Sequence, residues 1–197
     1  MKPLPRLCFS GAVDGDGHVL EPPDLWQRYL EPAFRDRAPT MRLDEAGNEF
    51  LEIDGRPSKI VRGFMTAGLG AMDRFGGYVY EREEKTGLQY VDQAPLGAMD
   101  PKERIQRLDM ENLERAFLYP TLCLFWIAEC DDEAYTQACV RAYNRWIVDF
   151  CAGSEGRLLP VAQLSLGDPE AAERELRRVA EAGVAGVFVP PFQWSRK

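Results

Sequence analysis

The chain has 197 residues, 45% hydrophobic and 28% charged. That is an ordinary soluble composition with room for one domain and a real core, and not comfortably for two. The formal net charge of −8 argues against a phosphate backbone as partner, since no basic patch interrupts it.

No apolar run reaches the ~18 residues of a membrane span. The longest candidate, 116–128, is interrupted by Pro120 and Thr121. The start, Met1-Lys2-Pro3-Leu4-Pro5-Arg6, is followed by an apolar piece that Ser10 and Gly11 break, so no signal peptide is expected. Five cysteines (Cys8, Cys123, Cys130, Cys139, Cys151) form no C-x-x-C pair. They read as buried reduced thiols in a cytoplasmic protein.

In chain order, a short strand at about 11–16 leads through Gly/Asp turn chemistry into a helical stretch before residue 37. Residues 40–44 and 50–54 alternate in polarity around the turn Glu45-Ala46-Gly47-Asn48. Asp54-Gly55 adds a tight turn, so an inserted antiparallel meander is expected. Residues 63–90 are rich in glycine and read as a long loop, a lid or a subunit contact. The whole insertion spans 38–99.

The remainder alternates helix and strand. Asp100 can cap a helix whose first residue is Pro101, with Glu103 at the capping-box position. Ile105, Leu108 and Leu113 follow at helical spacing. A strand at 115–120 ends at Pro120. Asp131 and Asp132 open a helix with Tyr135, Ala138, Ala142, Trp146 and Phe150 as its apolar stripe, and Gly153 as its stop. A strand at 158–163 precedes a helix opened by Asp168-Pro169-Glu170, with Ala172, Leu176 and Val179 facing inward and Gly183 at its end. The last strand covers 185–190. Continuous apolar strands separated by helices imply parallel βαβ units with right-handed crossovers. The expected fold is therefore α/β: a single domain, 1–197, with four parallel strands, half of the eight a closed (βα)8 barrel needs.

The segment Val13-Asp14-Gly15-Asp16-Gly17-His18 holds the chain's one histidine. On a strand, Asp16 and His18 point to one side, and Asp14 joins them if the strand stays regular. An imidazole and a carboxylate facing a cavity suit Zn, Mn, Fe or Co. Turn chemistry with a hydrogen-bonded structural histidine accounts for the same residues. An EF-hand is excluded, because its twelfth position is Leu25. Gly68-Leu69-Gly70 follows no strand and is no dinucleotide fingerprint. No P-loop is present, and Ser10, Ser154, Ser165 and the cysteines have no base beside them in sequence. Trp126, Trp146, Phe150 and Phe188 read as core. Tyr119, Thr121, Pro191 and Phe192 fall at strand C-termini, where barrel enzymes build substrate pockets.

Taken together, Asp14-Gly15-Asp16-Gly17-His18-Val19-Leu20-Glu21-Pro22-Pro23-Asp24-Leu25-Trp26, Arg28-Tyr29-Leu30 and Phe34-Arg35-Asp36-Arg37-Ala38-Pro39 resemble the amidohydrolase-related metal-dependent hydrolases. The branch is the one that includes aromatic-acid and aminocarboxymuconate-semialdehyde decarboxylases. Arg107-Leu108-Asp109-Met110, Leu118-Tyr119-Pro120-Thr121, Ala142-Tyr143-Asn144 and Gly186-Val187-Phe188-Val189 extend the likeness over nearly the whole chain. The resemblance implies a TIM-like barrel and a mononuclear divalent metal, zinc first, with manganese, iron or cobalt as alternatives. It places two ligands at Asp16 and His18. The family's further ligands are a histidine after the fifth strand and an aspartate after the eighth, often with a histidine after the sixth; the chain stops before the fifth.

The expectation is thus an N-terminal half-barrel of a hydrolase or decarboxylase acting on a small cyclic or aromatic carboxylate. Its partner would be a complementary C-terminal half-barrel chain or a second copy, with neither nucleic acid nor membrane involved. A non-catalytic half-barrel serving as an assembly subunit, or a truncated inactive product, is the alternative.

Overall fold

A computed structural model describes residues 11–61, 89–91 and 94–190, with the side chain of Phe125 left aside. Four strands, β1 (Val13–His18), β5 (Arg115–Tyr119), β6 (Leu158–Gln163) and β7 (Gly186–Phe188), form one parallel sheet in the order β1-β5-β6-β7. The order follows the chain, as right-handed βαβ winding requires. β2 (Thr40–Leu43), β3 (Glu49–Ile53) and β4 (Arg56–Pro57) make a separate antiparallel sheet. The fold is the partial barrel with an inserted meander. The first strand begins two residues later than its pattern suggests and runs on to His18. The expected loop over 63–90 lies, apart from its last two residues, outside the described residues.

The helices are α1 (Leu25–Tyr29), α2 (Pro101–Glu111), α3 (Cys123–Trp126), α4 (Glu133–Cys151) and α5 (Pro169–Glu181). The three long ones start where an aspartate meets free amides. Asp100 accepts from the Lys102 and Glu103 amides, Asp132 from Tyr135, and Asp168 from Glu170 and Ala171. Each cap satisfies donors that the first helical turn leaves open. The short α3 and the 3-10 turn Ile127–Glu129 went unseen in the sequence, because an apolar run after Pro120 has no capping signal. Among the described residues no helix is long and apolar enough to cross a membrane.

The expected stripe of α4 is buried along its length, and with Trp126 and Leu118 it forms the centre of the core. Trp26 meets Trp126 edge-on at 6.2 Å, and Trp146 lies between Tyr143 and Phe150. Phe188, expected in the core, is only half-buried. On α5 the expectation for Leu176 fails: it is 42% exposed, and Glu175 takes the inward position. Asn144 and Arg178 bind the Glu175 carboxylate, which stabilises a buried charge that pattern reading assigns to solvent. Cys123, Cys130, Cys139 and Cys151 are buried thiols, not disulfides. Burial pushes the Cys130 and Cys151 thiols up to about 12, so they stay protonated and inert as nucleophiles.

Arg37 pins the meander to the barrel, alongside the Arg56–Asp131 pair and the bonds from Ser58 and Lys59 to Glu129. The meander's Asp54-Gly55 turn has φ of 52° and 71°, the left-handed pair of a type I′ hairpin. The turn presents Asp54 to Arg37, which donates to both Asp54 oxygens at 2.6 and 3.0 Å and to Asp132 at 2.8 Å. Arg37 also lies over the Tyr135 ring, 4.5 Å from its centroid. The hydrogen bonds from Arg37 hold both carboxyls below their ordinary value of 3.8. Their contribution is therefore complete above that value and is lost as pH falls below it. Arg37→Met is expected to lower stability by about 1 kcal/mol at neutral pH and low salt, given the partial exposure of the cluster. The difference from wild type should close below the ordinary carboxylate value. Urea melts at two pH values check this.

Candidate functional site

The C-terminal end of β1 is irregular, and the irregularity builds the site. Asp14 pairs with Ala116 and Gly17 with Leu118, so β1 spends three steps where β5 spends two. This is a bulge of one extra residue, which re-aims the side chains beyond it. The Asp16 amide donates to Asp14 Oδ1 at 3.0 Å, closing an Asx turn around the extra residue. The regular alternation that would align Asp14 with Asp16 and His18 is thereby broken, although all three line one cavity. Gly17 is required here, because a Cβ would meet the Phe117 carbonyl oxygen at 2.7 Å and Asp14 Oδ2 at 2.8 Å. Gly17→Ala is expected to cost roughly 1–3 kcal/mol, as overpacking against backbone does. Thermal denaturation reads the loss.

His18 sits at the rim. Its Nδ1 is 2.7 Å from the Pro120 carbonyl oxygen. A carbonyl only accepts, so in the neutral ring Nδ1 carries the proton and Nε2 keeps its lone pair. Nε2 lies 3.7 Å from Asp16 Oδ1, and the Asp16 side chain is 92% exposed. Two donors on a tetrahedral ion with 2.1 Å bonds sit about 3.4 Å apart, so the pair fits two adjacent positions of a divalent ion with little adjustment. Among the described residues no group of three or more histidine, cysteine, aspartate or glutamate side chains is placed to hold a metal. The pair by itself offers two ligands.

The cavity beside the pair has a volume of about 360 Å³. β1 forms one wall, and α2 with residues 95–98 forms the other. Arg104 and Arg107 bring positive charge to it. The Arg104 guanidinium donates to the His18 carbonyl oxygen, and Arg107 pairs with Glu111 at 2.5 Å. Burial draws the Arg104 pKa down, yet an arginine stays charged.

The remaining candidates are distributed unevenly. Thr121 lines the cavity, but its hydroxyl donates to the Val19 carbonyl at 2.7 Å and lies 3.4 Å from His18 Nδ1. The Tyr119 ring is 5.9 Å from the His18 ring. Pro191 and Phe192 lie outside the described residues. Sequence reading passed over Glu21, although an acidic residue between Leu20 and Pro22 was a usable signal. Glu21 is buried; Oε1 accepts from the Thr121 and Cys123 amides at 3.0 and 3.1 Å and Oε2 from Leu122 at 2.9 Å. Burial raises its pKa, and these amides pull the other way. Arg104 gave no signal in sequence, since helical arginines are usually solvated.

A scan against protein-family models gives no match, and no curated protein matches the chain. Solved structures do. An amidohydrolase from Mycobacterium avium subsp. paratuberculosis K-10 is 23% identical with a TM-score of 0.70, covering 93% of this chain and 50% of that one. A 5-carboxyvanillate decarboxylase from Novosphingobium aromaticivorans, solved with bound manganese and 3-methoxy-4-hydroxy-5-nitrobenzoic acid, is 16% identical with a TM-score of 0.55, covering 95% and 44%. A 2,6-dihydroxybenzoate decarboxylase from Rhizobium is 16% identical with a TM-score of 0.50, covering 95% and 41%. The likeness read from the motifs thus meets amidohydrolase and decarboxylase structures as fold neighbours. The chain has the fold of part of such a barrel, and spans about half the length of the M. avium structure.

Proposed function

We propose that this chain supplies the N-terminal half of an amidohydrolase-type, metal-dependent hydrolase or decarboxylase acting on a small cyclic or aromatic carboxylate. The observation that carries the reading is the His18–Asp16 pair at the end of β1, with Nδ1 tied to Pro120 and Nε2 left open beside Asp16. Active sites of βα barrels lie at this end of the strands. The fold neighbours with aromatic carboxylates in their names support the substrate class.

Asp16 and His18 would hold a divalent ion, zinc or manganese, with the other protein ligands coming from a complementary half-barrel. When bound, the ion supplies Lewis acidity toward a substrate oxygen or a water. The chain's own residues set up the rest. The Pro120 carbonyl orients the imidazole, and Arg104 and Arg107 are the cationic groups of a cavity that Asp14, Asp16 and Glu111 also line. Thr121 borders the same opening, and the Tyr119 ring lies beside His18.

The test joins this chain to the C-terminal half of the M. avium amidohydrolase and measures metal content and turnover of hydroxybenzoates and related cyclic carboxylates. About one ion per barrel, with turnover lost on removing it, is the expected result. A folded chimera that binds no ion would instead favour a non-catalytic assembly subunit.

A further inference from the structure

One peptide group links Glu21 to the histidine. In a trans peptide the carbonyl and the amide point in opposite directions. The peptide between Pro120 and Thr121 directs its N–H at Glu21 Oε1, 3.0 Å away, and its carbonyl at His18 Nδ1, 2.7 Å away. Glu21 also takes the next two amides, of Leu122 and Cys123. Three donors on a single side chain fix the plane of this turn, and the Thr121 hydroxyl ties it to Val19.

We infer that Glu21 is a positioning residue for the metal-binding histidine, acting through the Pro120–Thr121 peptide. The inference deepens the proposed function, whose metal site it rests on. An acceptor on the amide polarises the peptide and strengthens its carbonyl as an acceptor. The carbonyl then holds the Nδ1–H tautomer and makes Nε2 the better ligand, the service a carboxylate gives directly in many metal sites. Glu21→Gln keeps the size but replaces one acceptor oxygen by an NH2 group, so the three-amide cradle cannot be satisfied.

The chain has a single histidine, so its imidazole nitrogens give one set of NMR signals. In the metal-free wild-type chain at alkaline pH, proton–nitrogen correlation should show Nδ1 protonated and Nε2 bare. Folded Glu21→Gln should show a mixture of tautomers and bind zinc about 10–100-fold more weakly. Thr121→Val, which leaves the cradle in place, should keep the wild-type tautomer. A wild-type ring protonated at Nε2 overturns the inference even where Glu21→Gln does not fold, as does a folded Glu21→Gln with the wild-type tautomer. If the tautomer shifts as expected but wild type binds no zinc, the metal reading fails while the positioning of His18 by Glu21 stands.

Discussion

Asn144→Ala is expected to destabilise the chain by about 3–5 kcal/mol, a large part of the 5–15 kcal/mol that holds a typical domain together. Asn144 is fully buried and sits at a junction of three elements. Its Nδ2 donates to the Gln163 carbonyl at 3.0 Å and to Glu175 at 2.7 Å, and its Oδ1 accepts from the Gln163 amide at 2.7 Å. Truncation leaves the last residue of β6 with both main-chain groups unpaired and removes a partner from a carboxylate that is only 4% exposed. Arg178→Ala should cost less, roughly 1–3 kcal/mol, because Glu175 then keeps Asn144 and Arg178 itself is 39% exposed. Chemical denaturation of both variants orders them. The reverse order would mean that the buried Glu175 charge depends more on Arg178 within α5 than on the Asn144 amide reaching it from α4.

His18→Ala carries the largest functional effect. It should abolish specific divalent-ion binding, and with it turnover in the chimeric barrel, while changing stability by no more than about 1 kcal/mol. The ring is 31% exposed at the rim of the cavity. Asp16→Asn should weaken ion binding at least about tenfold and leave stability unchanged, since that side chain is mostly in solvent. Isothermal titration with zinc and with manganese, beside thermal melts, separates loss of a ligand from loss of the fold.

The long elements were legible because local and global signals agree. Asp100-Pro101, Asp132 and Asp168-Pro169 announce helices that the structure caps at those residues. The apolar runs of β5 and β6 announce buried parallel strands, and Asp54-Gly55 announces its hairpin. Period reading failed where tertiary partners decide. Leu176 lies on a hydrophobic spacing yet faces out, because the Asn144–Arg178 pair gives Glu175 a place inside. The bulge in β1 could not be read from Asp14-Gly15-Asp16-Gly17, which suits a regular strand, a turn or a kink alike. Of the site, Asp16 and His18 were visible as a pair. The groups that orient the His18 ring, Glu21 and the Pro120–Thr121 peptide, are about a hundred positions apart and meet only in the fold.

Manganese offers the most direct test of the His18–Asp16 pair, because its unpaired electrons broaden the NMR signals of nearby nuclei. Added in small amounts to the isotope-labelled chain, it should first erase the His18 imidazole signals and the amides of residues 15–19, Tyr119 and Thr121, and this pattern should vanish in His18→Ala. Broadening centred elsewhere on the acidic surface, or a pattern that survives His18→Ala, would contradict the assignment of this rim as a metal site.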